Sequence, residues 1–229
     1  MGYQPYMRDI PESDYVAFQN ANPEGQVASA AKRVTDFLIA FLALIFLSPA
    51  MIIIALIIRI TDGGPVLFQH KRIGRDGKEF NCIKFRSMEV DAEAKLPTIL
   101  SKCEKARAQW VANQKIDDDP RVTPFGRFLR KSSLDEIPQL LNVIRGTMSI
   151  VGPRPIVKSE AEKYGEFFPY YCRVRPGLTG LWQVSGRSGT TYEDRVKLDV
   201  KYVTEWSYWG DVKIMFLTIP AVLKSDGAV

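Results

Sequence analysis

Asp135 and Glu136 are adjacent carboxylates in the run Arg127-Phe-Leu-Arg-Lys-Ser-Ser-Leu-Asp-Glu-Ile-Pro-Gln-Leu-Leu-Asn-Val-Ile-Arg-Gly146. The apolar positions Leu140, Leu141, Val143 and Ile144 predict a buried helix that ends before Gly146. Pro138 is tolerated only in a first turn, so the helix is expected to begin near Asp135 or Glu136. Both carboxylates then sit at the positive end of the helix. A purely structural account exists, because Ser133-x-x-Glu136 also matches a capping box whose acid only stabilises the helix. The other account is chemical. Arg127, Arg130 and Lys131 lie just upstream, and cations beside free helix N–H groups suit a phosphate. A carboxylate held there can act as a nucleophile or as a magnesium ligand.

Other basic residues could serve the same chemistry. Arg154 stands between Pro153 and Pro155, which stiffen its loop; an exposed turn arginine is the alternative. Arg173, Arg175 and the stretch from Pro176 to Arg187 form a second basic segment. Its glycines, at 177, 180 and 186, do not match a dinucleotide fingerprint, and a simple loop accounts for them equally well. Asp117-Asp118-Asp119 invites comparison with a DxD metal site, although its place before Pro120-Arg121 predicts a polar turn. His70 is the only histidine, which excludes a histidine-rich metal site, and Cys82, Cys103 and Cys172 form no CxxC pair.

The elements that would position these residues begin with an anchor. Phe37 to Ile58 carries no charge over 22 positions, a helix of about 33 Å at 1.5 Å per residue, just long enough to cross a bilayer. Ser48-Pro49 lies at its middle, where proline removes a backbone donor. Either the proline kinks a crossing helix, or the helix enters, breaks at Ser48-Pro49 and returns. Lys32 and Arg33 before the run and Arg59 after it favour keeping both ends on the cytoplasmic side. The chain of 229 residues thus divides into a polar 1–30 tail, a membrane segment over 31–60 and a 61–229 catalytic domain. The tail reads as poorly ordered and not as a signal peptide. Its part of the charge is acidic: the net is +5, residues 1–31 contribute −3, and the body is therefore near +8. Such a body can attract nucleic acid, anionic lipid or phosphorylated substrates. Beyond the anchor, Val66–Ile73 and Lys78–Met88 around an Asp-Gly turn predict a hairpin. Its alternation puts Cys82, Lys84 and Arg86 on one face, with Ile83 and Phe85 on the other. Residues 89–116 read as helix broken near Pro97, 117–190 as short elements and loops, and 192–204 and 211–224 as helices again. Phe167, Phe168, Tyr170 and Tyr171 could be core or could lie at lipid headgroup level.

Five motifs occur in order: Lys84-Phe-Arg86-Ser-Met, Asp119-Pro-Arg121, Ser133-Leu-Asp135-Glu136-Ile-Pro138-Gln, Val151-Gly-Pro-Arg154-Pro and Leu178-Thr-Gly-Leu-Trp-Gln183-Val-Ser-Gly-Arg187. Together they resemble the bacterial sugar transferases, monotopic polyprenyl-phosphate hexose-1-phosphate transferases, over roughly residues 30–228. The resemblance implies a small α/β (α+β) catalytic domain with a re-entrant hydrophobic helix, a β-hairpin and amphipathic interfacial helices. It implies Asp135 as nucleophile, Glu136 as holder of Mg2+, and Lys84, Arg86, Arg121, Arg154, Gln183 and Arg187 as phosphate or substrate ligands. The implied reaction is ping-pong: attack on the β-phosphorus of a UDP-sugar releases UMP, and a polyprenyl phosphate, expected to be undecaprenyl phosphate, then accepts the sugar phosphate. Cys103–Trp110, the Trp182-Gln-Val-Ser-Gly-Arg187 stretch and the terminal Asp226-Gly-Ala look like the galactose-1-phosphate group, so UDP-galactose is the first expectation and UDP-glucose the second. The implied setting is the cytoplasmic face of a bacterial inner membrane, among its lipids, in exopolysaccharide or O-antigen assembly. Nucleic acid is not expected as a partner, and a homo-oligomer is compatible with all of this. Two rivals differ in outcome: a DxD glycosyltransferase would release UDP, and a membrane-surface binder would turn over no nucleotide.

Overall fold

The computed structural model describes residues 29–113, 116–185 and 191–223. It is a mostly helical domain with two small two-stranded sheets among the described residues. Helix α1, Ala30–Asp62, holds the apolar run; Ser29 caps its start and Gly63, in the left-handed region, ends it. Only 11 % of its most apolar window is buried, so it is no core helix of a soluble protein. Phe41, Leu42, Ile45, Phe46, Ile52 and Ile53 stand exposed on it. The break expected at Ser48-Pro49 is not there: α1 continues as one helix through Pro49, and the carbonyl that the proline leaves without an N–H partner belongs to Ile45, four residues back. Ser48 supplies the missing donor: its hydroxyl donates to that carbonyl at 2.8 Å. The serine therefore satisfies, without water, the group that proline would orphan in lipid.

Both ends of α1 are moored to the same body. At the start, Lys32 Nζ donates to Asp211 Oδ2 at 2.6 Å and to the Val151 carbonyl at 3.1 Å. Asp36 accepts from Ser149 Oγ at 2.8 Å and from the Ile150 N–H at 3.1 Å. At the finish, Ile54 and Ile58 pack on Phe85 and Leu129, and Asp62 meets Arg86 at 3.1 Å.

Strands β1 (Leu67–Ile73) and β2 (Glu79–Phe85) form the expected antiparallel hairpin, with His70 in β1. Asp76 and Gly77 both take positive φ in its turn, the conformation an Asp-Gly pair accepts. The following helical region breaks at a different residue from the one expected. Helix α2 (Ala92–Lys102) runs through Pro97, and the interruption falls at extended Cys103, before α3 (Glu104–Asn113). Pro97 frees only the carbonyl of Glu93, an exposed first-turn residue open to water. Helix α4 (Pro124–Lys131), a 3-10 turn at Leu134–Glu136 and α5 (Gln139–Arg145) follow. Next come β3 (Ser149–Val151), α6 (Lys158–Tyr164), a 3-10 turn at Gly165–Phe167, α7 (Phe168–Cys172), β4 (Gly177–Thr179) and α8 (Leu181–Val184). Helices α9 (Tyr192–Thr204) and α10 (Tyr208–Leu223) close the fold, near the expected bounds.

Strand β3 pairs in parallel with β4, across a connection that contains α6 and α7. Phe167 and Tyr171 prove to be core, not headgroup aromatics. The Tyr171 hydroxyl donates to the Ile73 carbonyl at 2.8 Å and accepts from the Ile156 N–H at 3.3 Å. Aromatics exposed beyond α1 include Phe68 of β1, Phe128 of α4, and Tyr208, Trp209 and Phe216 of α10.

Candidate active site

The site is built where β2 meets the turn before α5. Asn142 of α5 stitches the two together: its Oδ1 accepts from the Ile83 N–H at 3.0 Å and its Nδ2 donates to the Asn81 carbonyl at 2.8 Å. Lys84, one residue further along β2, therefore faces the 3-10 turn. Its Nζ donates to Glu136 Oε1 at 2.6 Å and lies 3.9 Å from Asp135 Oδ2. Ser133 takes a left-handed φ of 57° and makes no side-chain cap bond, while the Glu136 carboxylate turns to Lys84. The capping-box account of these acids is thus excluded by their geometry. Holding a β-carbon residue in that conformation costs energy that a plain turn would not need.

Three guanidinium groups act on the pair through their charge. Arg130, on α4, donates from Nε to Ser87 Oγ at 2.9 Å, and its charge acts on Asp135. Arg154 stacks on Trp182 at 5.6 Å, and its charge acts on Glu136. Arg72 donates to the Pro155 carbonyl at 3.3 Å and also acts on Glu136. The bridge between Ile73 and Ile156 seats the 153–155 loop on the hairpin, which brings Arg154 to the site. The two acids are driven apart. Burial raises the Asp135 carboxyl to about 6, Glu136 beside it adds to the rise, and Lys84 and Arg130 oppose it. Burial also pushes Glu136 upward, but Lys84, Arg154 and Arg72 more than offset it and hold that carboxyl low. A first proton is therefore held by Asp135 while Glu136 stays anionic.

Of the residues expected from sequence, Asp135, Glu136, Lys84 and Arg154 converge. Gln183 lies on α8 beside Trp182, the ring on which Arg154 rests. Two expected ligands do not converge on the carboxylates. Arg86 turns to Asp62 at the end of α1. Arg121 forks onto Asp119, with contacts at 2.5 and 2.9 Å, donates to the Ala92 carbonyl and lies over Trp110. Its guanidinium is buried and spent on local structure. Arg187 lies outside the described residues. Arg72 was not singled out from the sequence, yet its pairing opposite Phe80 gives it the strand parity of Lys84 and Cys82. The hairpin register is the signal that reveals it.

The arrangement can deliver an anionic nucleophile to a phosphate group that cations neutralise. Residues 27–225 match the family described as bacterial sugar transferase. The chain is 48 % identical over 197 residues to a "UDP-galactose-lipid carrier transferase" of Erwinia amylovora, covering 86 % of this chain and 41 % of that protein. It is 48 % identical over 198 residues to the "Undecaprenyl-phosphate galactose phosphotransferase" of Salmonella typhimurium, covering 86 % and 41 %. Similarity to the "Exopolysaccharide production protein ExoY" of Sinorhizobium fredii is also 48 %, over 88 % of this chain and 89 % of the relative. The chain thus spans about two fifths of some relatives and nearly all of another. With the family matched over most of its length, the chain belongs to the bacterial sugar transferases.

Proposed function

We propose that the protein transfers galactose-1-phosphate from UDP-galactose to undecaprenyl phosphate, at the cytoplasmic face of a bacterial inner membrane, as the first membrane step of exopolysaccharide or O-antigen assembly. The observation that carries this reading is the Asp135–Glu136 pair held by Lys84 beside the end of an apolar helix. The names of the Erwinia and Salmonella relatives support galactose and a lipid carrier. The positive flanks of α1 support the cytoplasmic face.

In this mechanism an Asp135 carboxylate oxygen attacks the β-phosphorus of the UDP-sugar in line with the departing UMP. The P–O bond to UMP breaks with its electron pair, leaving the sugar phosphate on Asp135. An oxygen of the lipid phosphate then attacks the same phosphorus, and the Asp135 carboxylate leaves unchanged. Lys84, Arg154 and Arg72 neutralise the negative charge that gathers as two anions meet. Among the described residues no three metal-binding side chains cluster. Two adjacent carboxylates nevertheless fit Mg2+, which commonly takes one or two carboxylates and completes its shell with water and substrate phosphate. Glu136 would hold it, through the oxygen not engaged by Lys84. When bound, the ion would supply charge neutralisation at the diphosphate. The DxD alternative is poorly supported, since Asp119 is turned to Arg121 and Asp117 accepts from Gln109 at 2.6 Å.

The test uses UDP-galactose labelled in the β-phosphate, without lipid acceptor. Wild type should release UMP and keep label on Asp135, located by peptide mass analysis. Asp135→Asn keeps the size of the side chain, so it should fold, retain no label and lose at least about 4 kcal/mol of barrier lowering, roughly a thousandfold in rate. Label on the Asn variant, or turnover that releases UDP, would sink the covalent reading. Equal use of UDP-glucose would correct the sugar alone.

A further inference from the structure

A second cluster of cations lies at the other end of the hairpin from the carboxylates. Arg33 of α1 donates to the Val143 and Ile144 carbonyls at 2.6 and 2.7 Å, and Arg175 Nε donates to the Gly146 carbonyl at 2.7 Å. Arg75, in the hairpin turn, and Arg173, which lies over Tyr170 at 4.7 Å, complete the ring around one pocket. None of these four guanidiniums has a carboxylate within 3.5 Å among the described ion pairs; Asp76 is 3.6 Å from Arg75. The Nε of Arg75 is buried without a hydrogen-bond acceptor in the described structure. Asp36 also lines the pocket, but both its oxygens already accept bonds from Ser149 and Ile150. Burial loosens the proton of Arg175, and the proximity of Arg33 and Arg75 loosens it further, against the smaller opposing pull of Asp36 and Asp76. Four guanidiniums therefore converge on one cavity, with Lys32, already paired with Asp211, as a fifth cation in its lining, an arrangement that favours a bound anion.

The position of the pocket identifies the anion. Val34, next to Arg33, is 57 % exposed, and Phe37 and Leu38 follow, so the lipid-facing surface of α1 starts at the edge of the pocket. The pocket adjoins the first end of α1 while Lys84 and Asp135 adjoin the last, so both lie where the helix meets the membrane surface. Five steps along β2 separate Glu79, beside the turn, from Lys84, roughly 17 Å at 3.3 Å per step. The two sites are therefore distinct. We propose that the Arg33–Arg75–Arg173–Arg175 pocket is a second phosphate site, filled by the headgroup phosphate of an anionic membrane phospholipid.

The full chain is purified in detergent with a mixture of phosphatidylglycerol and phosphatidylcholine, and retained lipid is counted by native mass spectrometry. Wild type and Asp135→Asn should both retain phosphatidylglycerol, with a preference of about 10-fold or more over phosphatidylcholine. R75Q/R173Q should lose that preference, and R75K/R173K, which keeps the charge, should retain part of it. Millimolar inorganic phosphate should leave the bound lipid in place. Equal retention of the two lipids by wild type overturns the proposal, as does an unchanged preference in R75Q/R173Q that shows a native circular dichroism spectrum. Displacement of the lipid by inorganic phosphate would assign the pocket to a soluble anion and overturn the lipid assignment. Because Asp135→Asn serves as a positive control, failure here is separable from failure of the covalent mechanism.

Discussion

Asp135 is a carboxylate that the fold strains to keep. Burial and its neighbour Glu136 lift it to about 6, against an ordinary 3.8. An acid whose folded pKa is raised binds its proton more tightly in the native state, so this group destabilises the protein above that pKa and ceases to below the unfolded value. Asp135→Asn should therefore melt higher than wild type at pH 7.5, by on the order of 2 kcal/mol. The gain should shrink as pH falls from 6 towards 4, and a variant equally stable at every pH would contradict the strain. The same ionisation governs chemistry: in free enzyme at low substrate, UMP release should fall with decreasing pH below about 6, close to tenfold per unit once the group is mostly protonated. Arg154 makes a second case. Lysine cannot reproduce its planar fork or its stacking on Trp182, so Arg154→Lys should lose at least about 10-fold in kcat/KM, or roughly 1.4 kcal/mol. Unchanged kinetics would reduce it to a loop arginine. These residues could be read from sequence because their types and neighbours already suit phosphate. Arg121 stands apart from the carboxylates for a local reason, since Asp119-Pro-Arg121 closes an ion pair on itself. Arg72 escaped notice because only the strand register gives it the parity of Lys84.

Elements carry those side chains, and one close contact sets their spacing. Helix α4 delivers Arg130 to Asp135, and it lies hard against the chain at Ser87, the residue whose hydroxyl Arg130 grips. A β-carbon at Gly126 would stand 1.9 Å from the Ser87 carbonyl oxygen, a backbone atom with no room to yield. Gly126→Ala should thus cost about 3 kcal/mol or more and lower activity by displacing Arg130; thermal melting and UMP release check both. A melt indistinguishable from wild type would show that α4 can retreat. The hairpin was legible at this scale, because Asp-Gly between β-rich runs fixes both turn and pairing. The interruption at Cys103 was not, since an exposed proline six residues into a helix leaves its lost bond to water. Nor was the parallel pairing of β3 with β4 legible. Each is three residues long, too short for a period to show, and their partners lie 28 residues apart.

At the scale of the molecule, the question is how a domain with charged loops sits on a bilayer. The apolar run advertised the anchor, but its path was open, because 22 uncharged residues suffice either to cross or to return. The moorings favour return. Lys32 and Asp36 at one end of α1, and Asp62 at the other, bind a single body. A crossing would set those ends about 30 Å apart on opposite faces, and one mooring would have to tear away. On the N-terminal side that would leave Asp211 buried without Lys32, at a cost of about 3–5 kcal/mol. Residues on both sides of α1 should therefore share one compartment. With Cys82, Cys103 and Cys172 replaced by alanine, Gly25→Cys and Ser225→Cys should each resist an impermeant maleimide in intact cells and react after the inner membrane is opened. Labelling of Gly25→Cys alone in intact cells would establish a crossing helix. Ser48→Ala with Pro49→Leu should shift the balance towards that outcome. It removes both the proline and the hydroxyl that satisfies the Ile45 carbonyl, leaving a straight apolar helix with no reason to turn. If the double variant stays wholly protected and active, the moorings alone hold the helix in place and Ser48-Pro49 is dispensable for topology.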